Sequence, residues 1–292
     1  MRNAGVEHNL STDLAPVLGA RRDGTANAES SRGLLMTMLG EFVLPTGGAA
    51  WTRTLIAGFD LLGVQEKAAR QALSRMEGDG WLARERHGRQ TRWSLTARAE
   101  RLLRDGAERI YGFGHAARPW DGEWVVLLAS VPEPERATRY RMAQQLSWIG
   151  FGPLGHGTWI CPWTAQEEAA RRIVADLDID ATSFRGPVGL VGSGPALTAR
   201  AWPMDDLADV YRQFLADFPS GDRIVDGATV VCDLSRLVHR WRRFPFMDPD
   251  LPAELLPDRW PGREATERFA GLRQAWLEPA HRWWNEQEAG FG

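Results

Sequence analysis

Between residues 34 and 95 the spacing of apolar side chains changes from the three-and-four step of a helix to the two-residue step of a strand, which restricts the chain to few small folds. Ser30 and Ser31 can cap a helix whose apolar set is Leu34, Leu35, Met38, Leu39, Phe42 and Val43, stopped by Pro45 and the Gly47-Gly48 pair. Trp51, Leu55, Phe59 and Leu62 then recur at helical spacing, with Gly63 at a C-cap position. A third helix is expected over 64–77, with Val64, Ala68, Ala72, Leu73 and Met76 inward and Lys67, Arg70, Gln71 and Ser74 on the opposite face. Two strands follow, 81–86 and 89–95, joined by the two-residue turn His87-Gly88. This register sets Leu82 opposite Trp93 and Arg86 opposite Arg89. Thr96 caps a further helix carrying Leu102, Leu103 and Ile110.

Two arginines facing each other at a hairpin tip repel unless an anion sits nearby, and a phosphate backbone is such an anion. The charge distribution agrees. The chain as a whole carries a net charge of −3, yet residues 64–104 hold ten basic and five acidic side chains. A locally positive face on an acidic protein is the electrostatic footprint of nucleic-acid binding. Three helices and a basic hairpin in this order predict a winged helix-turn-helix over 30–112. Gln65, Lys67, Arg70, Gln71 and Ser74 are expected nearest the bases of double-stranded DNA, with Arg75 in the same set. Arg84, Arg86, Arg89 and Arg92 of the wing are expected on phosphates or minor-groove edges. Lys67 is the sole lysine, so arginine supplies nearly all the positive charge.

The rest of the chain alternates and then becomes helical. A strand over 124–130, a helix opened by Pro134, a strand over 158–161, a helix over 165–177 and a strand over 182–190 describe a small α+β layer with helices on one face. Helices are expected over 204–218, 228–244 and 263–284. Prolines 249, 252, 257 and 261 force an extended crossing between the last two. Gly150, Gly152 and Gly155 match G-x-G-x-x-G, but they follow a helix and lead into a strand, so they read as a turn and not as a dinucleotide site. The six histidines lack paired metal-ligand spacing, and Ser193 lacks the surroundings of a nucleophile elbow; no metal, cofactor or catalytic residue is expected. Cys161 and Cys232 are expected as free thiols. Residues 1–29 read as a disordered tail without an apolar core, and no stretch approaches the ~18 apolar residues of a membrane span, so the expectation is a cytoplasmic protein without membrane contact.

From about Arg32 to Trp283 the sequence resembles the phenylacetic acid degradation repressors, the PaaX family. The resemblance rests on LLMTMLGEFVLPTGGAAW, AARQALSRMEGDGWL and GRQTRWSLTARAERLL, then RIYGF, WDGEW and GFGPLGHGTWICP, and finally LVHRWRRFPFMDPDLPAELLPDRWPGREA. It implies an α+β multidomain protein: a winged helix-turn-helix over 30–112, a ferredoxin-like central domain over 113–194 and a helical C-terminal domain over 195–292 for effector binding and dimerisation. It also implies a homodimeric repressor of an aromatic-compound pathway, released from its operator by an acyl-CoA such as phenylacetyl-CoA. Gln65 departs from the serine common there, which leaves the start of the third helix less well capped. An effector site is expected around His239, Arg240, Arg242, Arg243, Asp248 and Trp260, since a coenzyme A ester offers phosphates to arginine and an acyl group to an apolar pocket. Effector-independent DNA binding is the alternative. A ferredoxin-like nuclease is a weaker one, because the first strand of that layer ends in Ala129 and Ser130, with Glu133 and Glu135 only in the following loop.

Overall fold

The computed structural model describes residues 31–114, 118–132, 134–220 and 227–290; the tail expected over 1–29, Ser30, His115 and Glu133 lie outside them. The chain divides into two compact units. Of the described residues, the first combines those from Ser31 to Gly112 with those of Phe214–Arg243 and from Thr266 to Gly290, and the second combines those of Phe113–Gln213 with Phe244–Ala265.

In the first unit, helix α1 (Ser31–Met38) runs on as a π turn (Leu39–Val43) and a 3-10 turn (Leu44–Thr46). A short strand β1 (Ala49–Trp51) leads into α2 (Thr52–Leu61), and α3 (Glu66–Gly78) follows. Each helix ends as the sequence dictates. Val64 N donates to Phe59 O and Trp81 N to Met76 O, with Gly63 and Gly80 at φ of 75° and 72° supplying the left-handed residue that such closures need. The inward face of α3 is Ala69, Ala72, Leu73 and Met76; Ala68, expected inward, is only half-buried.

Strands β2 (Leu82–His87) and β3 (Gln90–Leu95) form the hairpin, and the sheet order is β1-β3-β2. Its register corrects the expectation. Leu82 faces Leu95, Arg84 faces Trp93, Arg86 faces Thr91 and His87 faces Gln90. The turn residues are therefore Gly88-Arg89, and the Arg86-Arg89 opposition does not form. Gly88, at φ 62°, takes the first central position, where a two-residue turn of this hand needs left-handed backbone that His87 would adopt only at a cost. The paired register also buries Leu82 against Leu95, two apolar side chains on one face. Thr96 accepts from Ala99 N at 3.2 Å and so caps α4 (Ala97–Gly112).

Helix α1 is buried on almost every side: Leu34, Leu35, Met36, Thr37, Met38 and Leu39 are all inside. An all-round buried helix needs neighbours on both flanks. They are α2, whose Gly58 meets Met38, α3 and, from the later part of the chain, α9 (Gly227–Trp241), while α10 (Gly262–Ala289), of which the part from Thr266 belongs to this unit, meets the π turn that follows α1. Phe42 stacks on Trp284 with ring centroids 5.0 Å apart. Gly58 of α2 makes that approach possible, since a Cβ there would lie 2.3 Å from Met38 Cε and 3.2 Å from Trp284 Cζ3. Trp241 stacks on Phe269 at 4.5 Å and donates to Ile110 O at 3.1 Å.

In the second unit, β4 (Trp124–Ser130), α5 (Arg136–Trp148), β5 (Gly152–Gly155), β6 (Thr158–Cys161), α6 (Glu167–Asp176) and β7 (Asp180–Gly186) follow in βαββαβ order. The sheet is antiparallel, β5-β6-β4-β7. The glycine run expected as a turn thus contains a strand, kept short and glycine-bearing because Trp202 lies 2.5 Å from where a Gly152 Cβ would stand. The last strand ends at Gly186, four residues short of the expected limit, its length set by pairing along all of β4. Val125, Leu127 and Ala129 pack with Met142, Leu146, Ala170 and Ile173 on the helical face. Trp124 and Ile160 point the other way, onto Ala201, Trp202, Met204, Leu251 and Leu255. Those residues come from α7 (Gly194–Ala201), which periodicity does not reveal, from α8 (Met204–Asp217) and from the proline-rich segment. Ser193 is the N-cap of α7 and accepts from Ala196 N at 3.3 Å. Cys161 and Cys232 are free thiols. No helix among the described residues is long and apolar enough to cross a membrane.

Candidate nucleic-acid interface

Helix α3 presents Lys67, Arg70, Gln71 and Ser74 together with Glu66 along one open, shallow depression, and all five are exposed. Gln65 stands at the N-cap with no side-chain hydrogen bond to the helix, and Arg75 is exposed in the last turn. Arg70 is engaged already: its Nε donates to Glu66 Oε1 at 2.8 Å. An exposed i,i+4 pair of this kind holds by only about 0.3–0.5 kcal/mol, so a stronger acceptor can displace Glu66. The i,i+4 spacing of Glu66 and Arg70 is the local signal for that tether.

The four arginines expected on the wing occupy three different environments. Arg86 and Arg89 are exposed and meet no carboxylate among the described residues. Arg84 reaches Glu77 of α3 at 3.3 Å, which ties the hairpin to that helix. Arg92 lies half-buried over the Trp51 ring, 5.4 Å from its centroid, while His87 meets the same ring edge-on at 5.3 Å. Trp51 faces Arg92 across β1 and β3, so the hairpin root is an aromatic clamp on a cation rather than a free charge. Thr52 locks the hairpin to α2, donating to Thr91 O at 2.9 Å and accepting from Trp93 Nε1 at 2.8 Å. These long-range partners carry no local signal in the sequence.

The same unit holds a buried polar cluster. Glu41, 2% exposed in the π turn, accepts from Arg273 of α10 at 2.8 Å and from the Tyr111 hydroxyl of α4, and the Arg273 guanidinium sits 3.9 Å over the Tyr111 ring. Burial, and then the Glu41 charge, push the Tyr111 hydroxyl far above its usual pKa. Glu288 of α10 accepts from Trp51 N at 3.0 Å. The C-terminal helix thus contacts the later part of the first helical segment, at Glu41 and Phe42, and the start of the second, at Trp51.

The six residues expected around an effector fall in different units. His239, Arg240, Arg242 and Arg243 close α9 in the first. His239 Nδ1 lies 3.1 Å from Thr37 Oγ1, whose own proton goes to Gly33 O at 3.2 Å, so the imidazole is the donor. Burial, followed by Arg242, Arg240 and Arg243, brings its pKa down to about 3. In the second unit, Asp248 accepts from the Tyr211 hydroxyl at 2.6 Å and from Asp250 N at 2.7 Å, and burial raises its pKa to about 6. Trp260 meets Tyr211 edge-on at 5.6 Å. Strand β4 ends in Ala129 and Ser130, and the described residues contain no group of three acidic, histidine or cysteine side chains able to hold a metal ion.

Three family profiles match the chain: "PaaX-like protein" over 30–99, "PaaX protein central Cas2-like domain" over 117–193 and "PaaX-like protein C-terminal domain" over 202–286. Over 264 residues the chain is 31% identical to Transcriptional repressor PaaX of Escherichia coli (strain K12), covering 84% of this chain and 80% of that protein. Uncharacterized protein Rv0674 from Mycobacterium tuberculosis has a similar fold, with a TM-score of 0.59 at 21% identity over 86% of this chain and 97% of that one. The class these matches define is one of transcriptional repressors and not of enzymes. The chain belongs to the PaaX family.

Proposed function

We propose that this chain is a DNA-binding repressor of an aromatic-compound catabolic pathway of the phenylacetate type, released from its operator by an aryl- or acyl-CoA. The observation that carries the reading is the donor-rich, exposed face of α3, flanked by Arg86 and Arg89 of the hairpin, in a chain 31% identical to a transcriptional repressor. In this reading 30–112 is a winged helix-turn-helix that lays α3 in the major groove. Gln65, Lys67, Arg70, Gln71 and Ser74 read base edges, with Arg75 beside them, and the wing holds phosphates. The βαββαβ order of the second unit supports a ferredoxin-like domain over 113–194, with 195–292 as the helical C-terminal domain. Leu128 and Phe184, 44% and 57% exposed on that sheet, support a homodimer that covers them. A cytoplasmic location fits this role.

A gel shift on the upstream region of the protein's own gene tests the proposal. Binding that phenylacetyl-CoA abolishes and free phenylacetate does not is the expected result. Binding indifferent to both would leave a DNA-binding protein without this effector, and no binding at all would remove the repressor reading.

A further inference from the structure

The turn that follows α9, Arg242-Arg243, concentrates positive charge that the described residues do not balance. Arg242 is only 4% exposed, yet its Nε has no hydrogen-bond partner and no carboxylate among the described residues lies within 4 Å of its guanidinium. Burial, and then Arg243, pull its pKa down to about 10, and the half-buried Arg243 is lowered in turn by burial and Arg240. Arg240 alone has an acid, Asp217 at 3.6 Å. The carbonyls closing a helix attract a cation, but they amount to about half a charge. A buried guanidinium without a partner is among the costliest groups a fold can keep.

We infer that this turn is an anion site in which Arg242 and Arg243 receive a phosphate-type dianion carried by a small ligand. With Arg240 engaged by Asp217, two guanidinium charges remain, and a phosphoryl or pyrophosphoryl group matches them where a single carboxylate would neutralise half. The site lies beside His239, which donates to Thr37 of α1, so an anion held there acts next to a contact with the first helix. The inference deepens the effector reading and rests on it only for the identity of the molecule that carries the phosphate.

Thermal unfolding of the full-length protein in inorganic pyrophosphate, against potassium chloride at matched ionic strength, tests the site. The wild type is expected to gain several degrees in Tm, saturably, with pyrophosphate alone. Arg242→Met is expected to lose that gain and, without pyrophosphate, to unfold at or above the wild-type temperature, because an unpaired buried charge is gone. Should that variant not fold, Arg243→Gln decides, with an expected rise of roughly tenfold or more in the half-saturating concentration. A K67Q/R70Q double variant, stripped of cations on α3, should keep the gain. The inference falls if the wild type responds equally to chloride, if Arg242→Met keeps the gain, if Arg243→Gln is unchanged, or if K67Q/R70Q abolishes it. A protein that binds pyrophosphate at this turn but ignores phenylacetyl-CoA in the gel shift keeps the anion site and loses the effector reading.

Discussion

Arg70 projects from α3 with Glu66 on its guanidinium, and Arg89 stands exposed in the hairpin turn. On the proposed docking the first reads a base and the second a phosphate. Arg70→Ala is then expected to weaken operator binding by about 1–3 kcal/mol while leaving a scrambled duplex nearly untouched. Arg89→Ala should weaken both equally and lower the salt slope by about 1. Titrating both duplexes at several salt concentrations separates the two, and equal effects of Arg70→Ala on both would displace it from the bases. His239 offers a second residue-scale test. Its folded pKa of about 3 lies below the ordinary 6.5, so the unfolded chain takes up a proton first and stability is lost as pH falls from about 6.5 towards 3. Asp248, raised to about 6 from 3.8, works the opposite way, its contribution being lost as pH rises through that window. His239→Asn, which can still donate to Thr37, should flatten the acid dependence of the urea midpoint between pH 7.5 and 5. A variant as acid-sensitive as the wild type would assign the dependence elsewhere. The donor stripe on α3 could be read from helical spacing because exposure there follows local geometry. The state of His239 could not, because it depends on burial and on a threonine 202 positions away.

Among the elements, α10 grips the helical segment that precedes the proposed DNA-binding face. Glu41 is buried and its charge is met by Arg273. Arg273→Met leaves a buried carboxylate unpaired and is expected to cost about 3–5 kcal/mol in denaturant unfolding. The E41Q/R273M double variant should recover much of the loss, since no lone charge remains. If the double variant proved as unstable as the single one, packing rather than charge would explain the contact. The π turn that carries Glu41 was not legible: a π turn differs from an α turn by one residue of winding, and the apolar spacing of LLMTMLGEFV fits either. The hairpin illustrates the same limit. A two-residue turn was readable from His87-Gly88-Arg89, but only the match of Leu82 to Leu95 fixes which two residues form it.

At the scale of the molecule, the two ends of the chain build one compact unit. The fragment 30–112 made alone would expose Phe42, which α10 covers, and the flank of α1 that α9 covers, and it is expected to melt without a cooperative transition or to aggregate. A sharp, reversible melt of that fragment would show that the C-terminal helices are dispensable for its fold. In the second unit, a homodimer that covers Leu128 and Phe184 should fall to monomers on Phe184→Glu, as read by light scattering; an unchanged mass would move the interface elsewhere.

Local sequence specified the helices of the first segment, the Gly63 closure and the Thr96 cap, the existence of the hairpin, the strands β4 and β6 and the polar stripe of α3. All of these are set by residues within a turn or two of one another. Tertiary structure decided the hairpin register, the strands β1 and β5, the clamp of Trp51 on Arg92 and the burial of Glu41 against Arg273. Each depends on pairing or desolvation between residues far apart in the chain, where spacing carries no information. The unbalanced charge at Arg242 belongs with these: RWRR is plain in the sequence, but an arginine without a partner exists only once the fold has removed its water.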